Sequence, residues 1–277
     1  MGVAPASVSA TVYTDPFCPW SWATEPHLRR LEVEFGTSVA LTFVVVGLRR
    51  QIDDAEALGL HTVDASAESG QPADPRVFLR DPPSSTHPAG LAVAAVAEQA
   101  GGARVGAYLR RLREAIFLDG RRMDTAPALL EAARETGGLD LDRLRVDFGS
   151  NAIVERFGAD LERAAAVDER HRSDATQRVM SPSVEFRGAD GAIHGAYGYV
   201  PYEEWRAAAV AAGAEPGGDP SPSVEDALRR FGTMTVPEVA AVAALPAPRA
   251  SAELWRLALE WRARPRRVLA GEVWAPA

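Results

Sequence analysis

The sequence predicts an α/β fold in which a βαβ unit is interrupted by a large helical insertion and completed by two further strands and a helix, followed by a helical C-terminal extension. Three observations carry this expectation. Valine- and threonine-rich runs bounded by turn residues occur at Val8 to Val46 and again after Ser181, apolar residues between the first two runs recur at helical spacing, and the long stretch between them is helical in period.

Val8 to Tyr13 alternates and reads as a strand leading into Thr14-Asp15-Pro16-Phe17. From Pro19 to Phe35 the spacing of Trp22, Pro26, Leu28, Leu31 and Phe35 is helical, and Gly36 supplies a stop. Val39 to Val46 forms a second strand ending at Gly47, so strand, helix and strand give a parallel pair with a right-handed crossover. Leu48 to Pro83 reads as loop-rich and polar, with Asp74-Pro75 and Asp81-Pro82 as breakers. Beyond it Val105, Leu109, Leu112 and Ile116 mark one face of an amphipathic helix, and Ala126 to Glu135, Leu141 to Phe148 and Ile153 to Val167 are helical too. Ser183 to Phe186 and Ala192 to Tyr197 flank an Asp190-Gly191 hairpin signal, and Tyr202 to Ala212 closes as a helix.

The expected organisation is a first domain over 8–48 and 178–213, a helical insertion over 49–177, a Pro/Gly/Ser-rich linker over 214–223 and a helical extension over 224–277. The last helix is expected to present Leu254, Leu257, Ala258 and Trp261 on one face, with Val268 to Trp274 as a short terminal strand.

The 277 residues are 47% hydrophobic and 25% charged, values of a folded globular chain. A net charge of −8 opposes binding to a polyanion, so no nucleic-acid partner is expected. No apolar window of about 18 residues implies no membrane partner, and residues 1–7 carry no basic and apolar leader. All 30 basic residues are arginine, a compositional bias to which no mechanism is attached. His27, His61, His87, His171 and His194 lack ligand spacing and a single cysteine cannot build a thiolate site, so no metal is expected. One cysteine also excludes an internal disulfide, which points to the reducing cytoplasm.

That cysteine, Cys18, stands where a strand ends and a helix begins, with Pro19 suited to the first helical position. Free backbone N–H groups and the positive end of a helix favour a thiolate, and a fall in pKa from roughly 8.5 to about 6.5 would make Cys18 largely ionised at neutral pH. Asp15 opposes that shift if it points toward the sulfur. The competing reading is a small buried apolar residue, the usual fate of a free cysteine.

The segment Asp15-Pro16-Phe17-Cys18-Pro19-Trp20-Ser21-Trp22 resembles the active-site segment of the DsbA family, in which a strand delivers Cys-Pro-X-Cys to a helix. The resemblance covers about residues 8 to 213 and implies a thioredoxin-like fold with a helical insertion. It places Ser181-Pro182 at the family's cis-proline, beside the nucleophile and a substrate groove. The Asp-Pro-X-Cys-Pro start is similar to the cytosolic FrnE-like and Spx-degradation adaptor branches, as is Asp81 to Ala89 at the start of the long helix.

By this resemblance Cys18 is the nucleophile and Ser21 occupies the place of the resolving cysteine. Trp20, Pro19, Ser181, Pro182, Thr86 and His87 border the substrate. A serine cannot release a mixed disulfide, so the implied function is a DsbA-like thiol-disulfide oxidoreductase acting as a monothiol. Its substrate would be a protein or small thiol, with a low-molecular-weight thiol as co-substrate and no bound cofactor. Two alternatives stand beside it: a thiol-cofactor-dependent isomerase or transferase of the kappa type, and a non-catalytic protein-binding adaptor.

Overall fold

A computed structural model describes residues 6–217 and 221–277. Strand β1 (Val8–Thr14) leads through the reactive turn into helix α1 (Pro19–Ala23), then α2 (Glu25–Phe35), then β2 (Val39–Val45). The single helix expected from Pro19 to Phe35 is thus broken at Thr24. Pro26 has no N–H to donate and its ring crowds the carbonyl four residues back, that of Trp22. Gln71 Nε2 takes up this carbonyl at 3.3 Å.

The insertion contains α3 (Ala55–Ser69), α4 (Val77–Arg80), α5 (His87–Gln99), α6 (Gly102–Arg113), α7 (Ala126–Thr136), α8 (Leu141–Asp147) and α9 (Asn151–Ala165). The loop expected between Leu48 and Pro83 therefore holds a fifteen-residue helix, α3, capped by Asp54, whose carboxylate accepts from Ala57 N. Its buried positions are Leu58, Gly59, Thr62 and Ala65, of which only Leu58 is a large apolar residue, so no apolar stripe is left for periodicity to detect. Val105, Leu109, Leu112 and Ile116 are all buried, the last in a π-helical turn, Glu114–Leu118, that prolongs α6.

After the insertion come β3 (Ser183–Arg187), β4 (Ile193–Tyr197) and α10 (Tyr202–Ala211). The four strands form one sheet in the order β2-β1-β3-β4, with β1 and β2 parallel and the other pairs antiparallel. Alternation along β1 divides its side chains between two cores. Val8, Ala10 and Val12 pack with Leu31, Phe35 and Trp205, whereas Tyr13 on the opposite face joins Val44, Val46, Ala164 and Val179.

The extension is not all helical. It comprises α11 (Val224–Phe231), β5 (Met234–Thr235), α12 (Val236–Val242), α13 (Ala247–Leu259), β6 (Ala263–Val268) and β7 (Gly271–Pro276), the strands pairing in the order β5-β7-β6. Strand β6 escapes sequence reading because Arg264 to Arg267 are consecutive exposed residues with no apolar alternation and include a proline. Trp261, expected on the packed face of the last helix, lies beyond the end of α13 with φ of 58° and is 88% exposed. The linker expected over 214–223 includes residues 218–220, which lie outside the described residues.

The extension packs on the first domain. Val33 of α2 joins Leu228, Met234, Val239, Leu254 and Trp274 in one core, and Val273 reaches the core of the insertion. A buried ionic cluster ties all three parts together. Arg110 of α6 pairs with Glu238 of α12 (Nη2 to Oε2, 3.0 Å) and Glu114 (2.9 Å), approaches Glu25 of α2 at 3.5 Å, and lies 4.6 Å over the Trp22 ring. Arg113, 1% exposed, donates to Glu25 and to Thr14 Oγ1 at the end of β1. Burial alone would raise the Glu25 carboxyl, but Arg113, Arg110 and Arg29 outweigh it and hold it below the usual carboxylate range.

Candidate active site at the reactive turn

Cys18 is the N-cap of α1, in extended backbone conformation, with Pro19 opening the helix as expected. Its amide donates to Asp15 O at 3.2 Å, which tightens the turn. Its thiol donates to Ser181 O at 3.3 Å, the carbonyl of the cis Ser181–Pro182 peptide. Ser21, one helical turn on, shares a 2.9 Å hydrogen bond with Ser181 Oγ. The structure therefore brings together Cys18, Pro19, Ser21, Ser181 and Pro182, from two segments some 160 positions apart in sequence.

The electrostatics depart from the sequence expectation. Cys18 is only 3% exposed, and burial pushes its thiol above the ordinary cysteine value. Hydrogen bonds from Ser181 and Ser21 and the Ser21 amide act the other way without prevailing, and Asp15 adds a small like-charge penalty. The expected thiolate is thus corrected to a resting thiol. The five-residue helix α1 offers its N-terminal field, but desolvation of a buried anion outweighs it.

Asp15 is fully buried and staples the turn. Its carboxylate accepts from Phe17 N at 2.9 Å and Leu48 N at 2.8 Å, and Thr86 Oγ1 lies 3.4 Å away. Burial raises its pKa to about 6, against these hydrogen bonds and the Arg113 charge, which lower it. A carboxyl whose folded pKa exceeds its unfolded value contributes stability below pH 3.8 and loses it as pH rises through about 6. The difference in unfolding free energy between wild type and Asp15→Asn should therefore fall by about 2 kcal/mol between pH 4 and pH 7.5. Urea unfolding of both proteins across this range checks it; a difference that does not vary with pH contradicts it.

Trp20 and Trp22 separate as the helix geometry requires. Trp22 is buried, donates Nε1–H to Pro72 O at 3.0 Å and stacks 6.0 Å from Phe117. Trp20 is half-buried and faces Tyr199 at 5.1 Å. These two rings, with Ser181, Met180, Arg49 and Glu68, border a cleft of about 500 Å³ beside the reactive turn. Tyr199, Met180 and Arg49 lay outside the sequence expectation because each sits in a connecting segment without a motif.

Thr86 and His87 meet that expectation only in part. Thr86 is fully buried and accepts from Arg49 N at 3.1 Å, so it supports the turn from behind rather than bordering the cleft. His87 packs edge-on against Phe157 at 5.2 Å, and burial, then the charges of Arg178 and Arg50, lower its pKa. At the start of α5 the N-cap Thr86 makes no capping hydrogen bond, and the His87 amide donates instead to Ser85 Oγ at 3.1 Å. Among the described residues no group of three or more His, Cys, Asp or Glu is placed to hold a metal, and no helix is long and apolar enough to cross a membrane.

Comparison with known proteins agrees with this architecture. A family model described as Thioredoxin matches residues 12–170. The ClpXP adapter protein SpxH of Halalkalibacterium halodurans is 28% identical over 261 residues, covering 90% of this chain and 83% of that protein. Among solved structures, a putative protein disulfide isomerase from Nitrosomonas europaea superposes with a TM-score of 0.61 at 18% identity, covering 74% of this chain and 97% of its own. The cytosolic disulfide reductase DsbM from Pseudomonas aeruginosa gives 0.55 at 22% identity, covering 72% and 95%; its structure with GSH gives 0.53 at 21% identity, covering 72% and 96%. The fold carries a cysteine at the head of the first helix opposite a cis-proline, and the family match spans more than half of the sequence. The chain belongs to the thioredoxin family.

Proposed function

We propose that this protein uses its thiol-disulfide oxidoreductase fold as a monothiol, with Cys18 as the sole redox centre and a low-molecular-weight thiol as co-substrate. The observation that carries this reading is the hydrogen-bonded group of Cys18, Ser21 and Ser181, in which a serine hydroxyl occupies the place of a second thiol. In the proposed cycle Cys18 loses its proton and attacks a mixed disulfide between a protein and a small thiol. The protein leaves as its thiol, taking up a proton, and Cys18 retains the small thiol in a new disulfide. A second small thiol attacks that bond, regenerating Cys18 and releasing the small-molecule disulfide.

Trp20, Tyr199 and Ser181 border the approach, and Pro19 and Pro182 fix the backbone on either side of the sulfur. The cytosolic setting and reducing function named for DsbM support a cytoplasmic location and this direction of exchange. Because Cys18 rests as a buried thiol, its alkylation at pH 7 is expected to be slower than that of an unstructured cysteine peptide, and to rise with pH through a higher range than the peptide's. Iodoacetamide kinetics between pH 6 and 10 test this; a rate already saturated at pH 7 would contradict the resting thiol.

A second reading, a protein-binding adaptor, is favoured by one observation. The similarity to SpxH, named as a ClpXP adapter, covers 90% of the chain and so extends beyond the redox domain. Under it the groove and extension hold a protein client, and Cys18→Ser leaves binding intact.

A further inference from the structure

We infer that a second ligand site, independent of Cys18, lies at the junction of α2, β2, α6 and α11, and that it takes an amphipathic carboxylate with an acyl tail. A cleft of about 810 Å³ opens there, a size ordinary for small-molecule sites. It is lined by neither Cys18 nor the residues around it.

Its lining divides into an apolar strip and a cationic end. Val39, Leu41 and Phe43 line it from β2. Alternate residues of one strand face one way, so their strip runs about 13 Å. Leu28 of α2 and Phe231 of α11 extend it. On the opposite side α6 contributes Gly102, Gly106 and Ala107, and an added Cβ at Gly106 would meet the Phe43 ring at 3.1 Å. The glycines let α6 lie directly against β2 at Leu41 and Phe43, so helix and strand meet as one continuous wall of the cleft.

The polar end carries five arginines, Arg29, Arg110, Arg111, Arg113 and Arg230, against three glutamates, Glu25, Glu32 and Glu114. Each lining carboxylate is already matched: Glu25 by Arg113, Glu114 by Arg110 at 2.9 Å and Arg111 at 3.1 Å, and Glu32 by Arg230 at 3.3 Å. Glu238, behind the wall, is matched by Arg110. Arg29 differs. Its side chain is 18% exposed, its guanidinium lies 4.7 Å over the Phe231 ring and 4.0 Å from Glu238, and it makes no hydrogen bond among the described residues. Its Nε–H is buried with no hydrogen-bond partner, which leaves one donor of the fork without an acceptor. A carboxylate supplies two acceptors in the geometry of that fork, and the apolar strip beside it accepts the tail.

Isothermal titration of the full chain with dodecanoate below its micellar concentration, and with dodecyltrimethylammonium as a cation of equal tail length, tests the proposal. Dodecanoate is expected to bind saturably at one per chain, at least tenfold more tightly than the cation. Arg29→Met keeps the packing on Phe231 and should weaken dodecanoate at least tenfold. Ala107→Trp, at an exposed helical position on the groove wall, should block it without disturbing the core. Cys18→Ala should bind as wild type. Absence of saturable binding, equal affinity for both tails, or folded Arg29→Met and Ala107→Trp proteins that bind dodecanoate as wild type does would each overturn the proposal.

Discussion

Replacing Arg110 by alanine is expected to cost about 3–5 kcal/mol of stability, because the change strands carboxylates that the fold has removed from water. Glu238 is completely buried and depends on Arg110 for its hydrogen bonds outside its own capping box, and Glu25 and Glu114 lose a shared partner. For a chain of this size such a loss corresponds to a melting temperature lower by roughly 6–20 °C. The site is also a hub between α6, α2 and α12, and its guanidinium covers the ring of Trp22. Loosening it should therefore alter the near-ultraviolet signal of that tryptophan and free the extension from the first domain. Thermal unfolding followed by near-ultraviolet circular dichroism, with limited proteolysis of residues 214–223, reads both effects. An unchanged melting temperature would mean that solvent already reaches these carboxylates.

The second large effect is expected from Ser21→Cys. Residue 21 is 1% exposed and close enough to Cys18 for its hydroxyl and amide to favour the thiolate, so a thiol there is held beside any mixed disulfide formed on Cys18. Intramolecular attack replaces collision with a second thiol molecule, and that change in effective concentration should release the adduct roughly 100-fold faster or more. Under oxidising conditions the variant should accumulate an internal disulfide between Cys18 and the introduced thiol, and it should reduce protein disulfides that wild type cannot. Stopped-flow release of a fluorescent thiol from Cys18, compared between the two proteins, measures the ratio. Equal rates would show that the two side chains cannot meet in line.

Much of the fold was legible because the first domain obeys local rules. Strands β1 and β2 are rich in valine and threonine and end in turn residues, and the spacing of Val105, Leu109, Leu112 and Ile116 gives a helix whose buried side is as expected. The order strand, reactive turn, helix followed from Pro19 and the residues around Cys18. Helix α3 was hidden because its buried face uses Gly59, Thr62 and Ala65, and β6 because it buries only Ala263 while exposing arginines. The ionic cluster of Glu25, Arg110, Arg113 and Glu238 was illegible for another reason. Each residue resembles the paired charges of a solvated helix face, and only tertiary packing reveals that water is excluded from them.

At the site, the grouping of Cys18, Ser21 and Ser181 was legible and the state of the thiol was not. The resemblance placed Cys18 opposite Pro182, but the sign of its pKa shift depends on how deeply the sulfur is covered. Ser181 O and the surrounding walls bury it to 3% exposure, and this reverses the expected shift. Asp15 likewise appeared only as a neighbouring charge, whereas its role is to hold the turn against Leu48.

The central claim, that Cys18 performs one-thiol exchange, is tested most directly by intact-mass measurement after incubating reduced protein with an oxidised low-molecular-weight thiol at pH 8. Wild type should gain the mass of one thiol, keep it until a reduced thiol is added, and return to its starting mass. Cys18→Ala should gain nothing. A wild-type protein that remains unmodified under conditions that fully modify a cysteine peptide would contradict the account and leave Cys18 as a packed core residue.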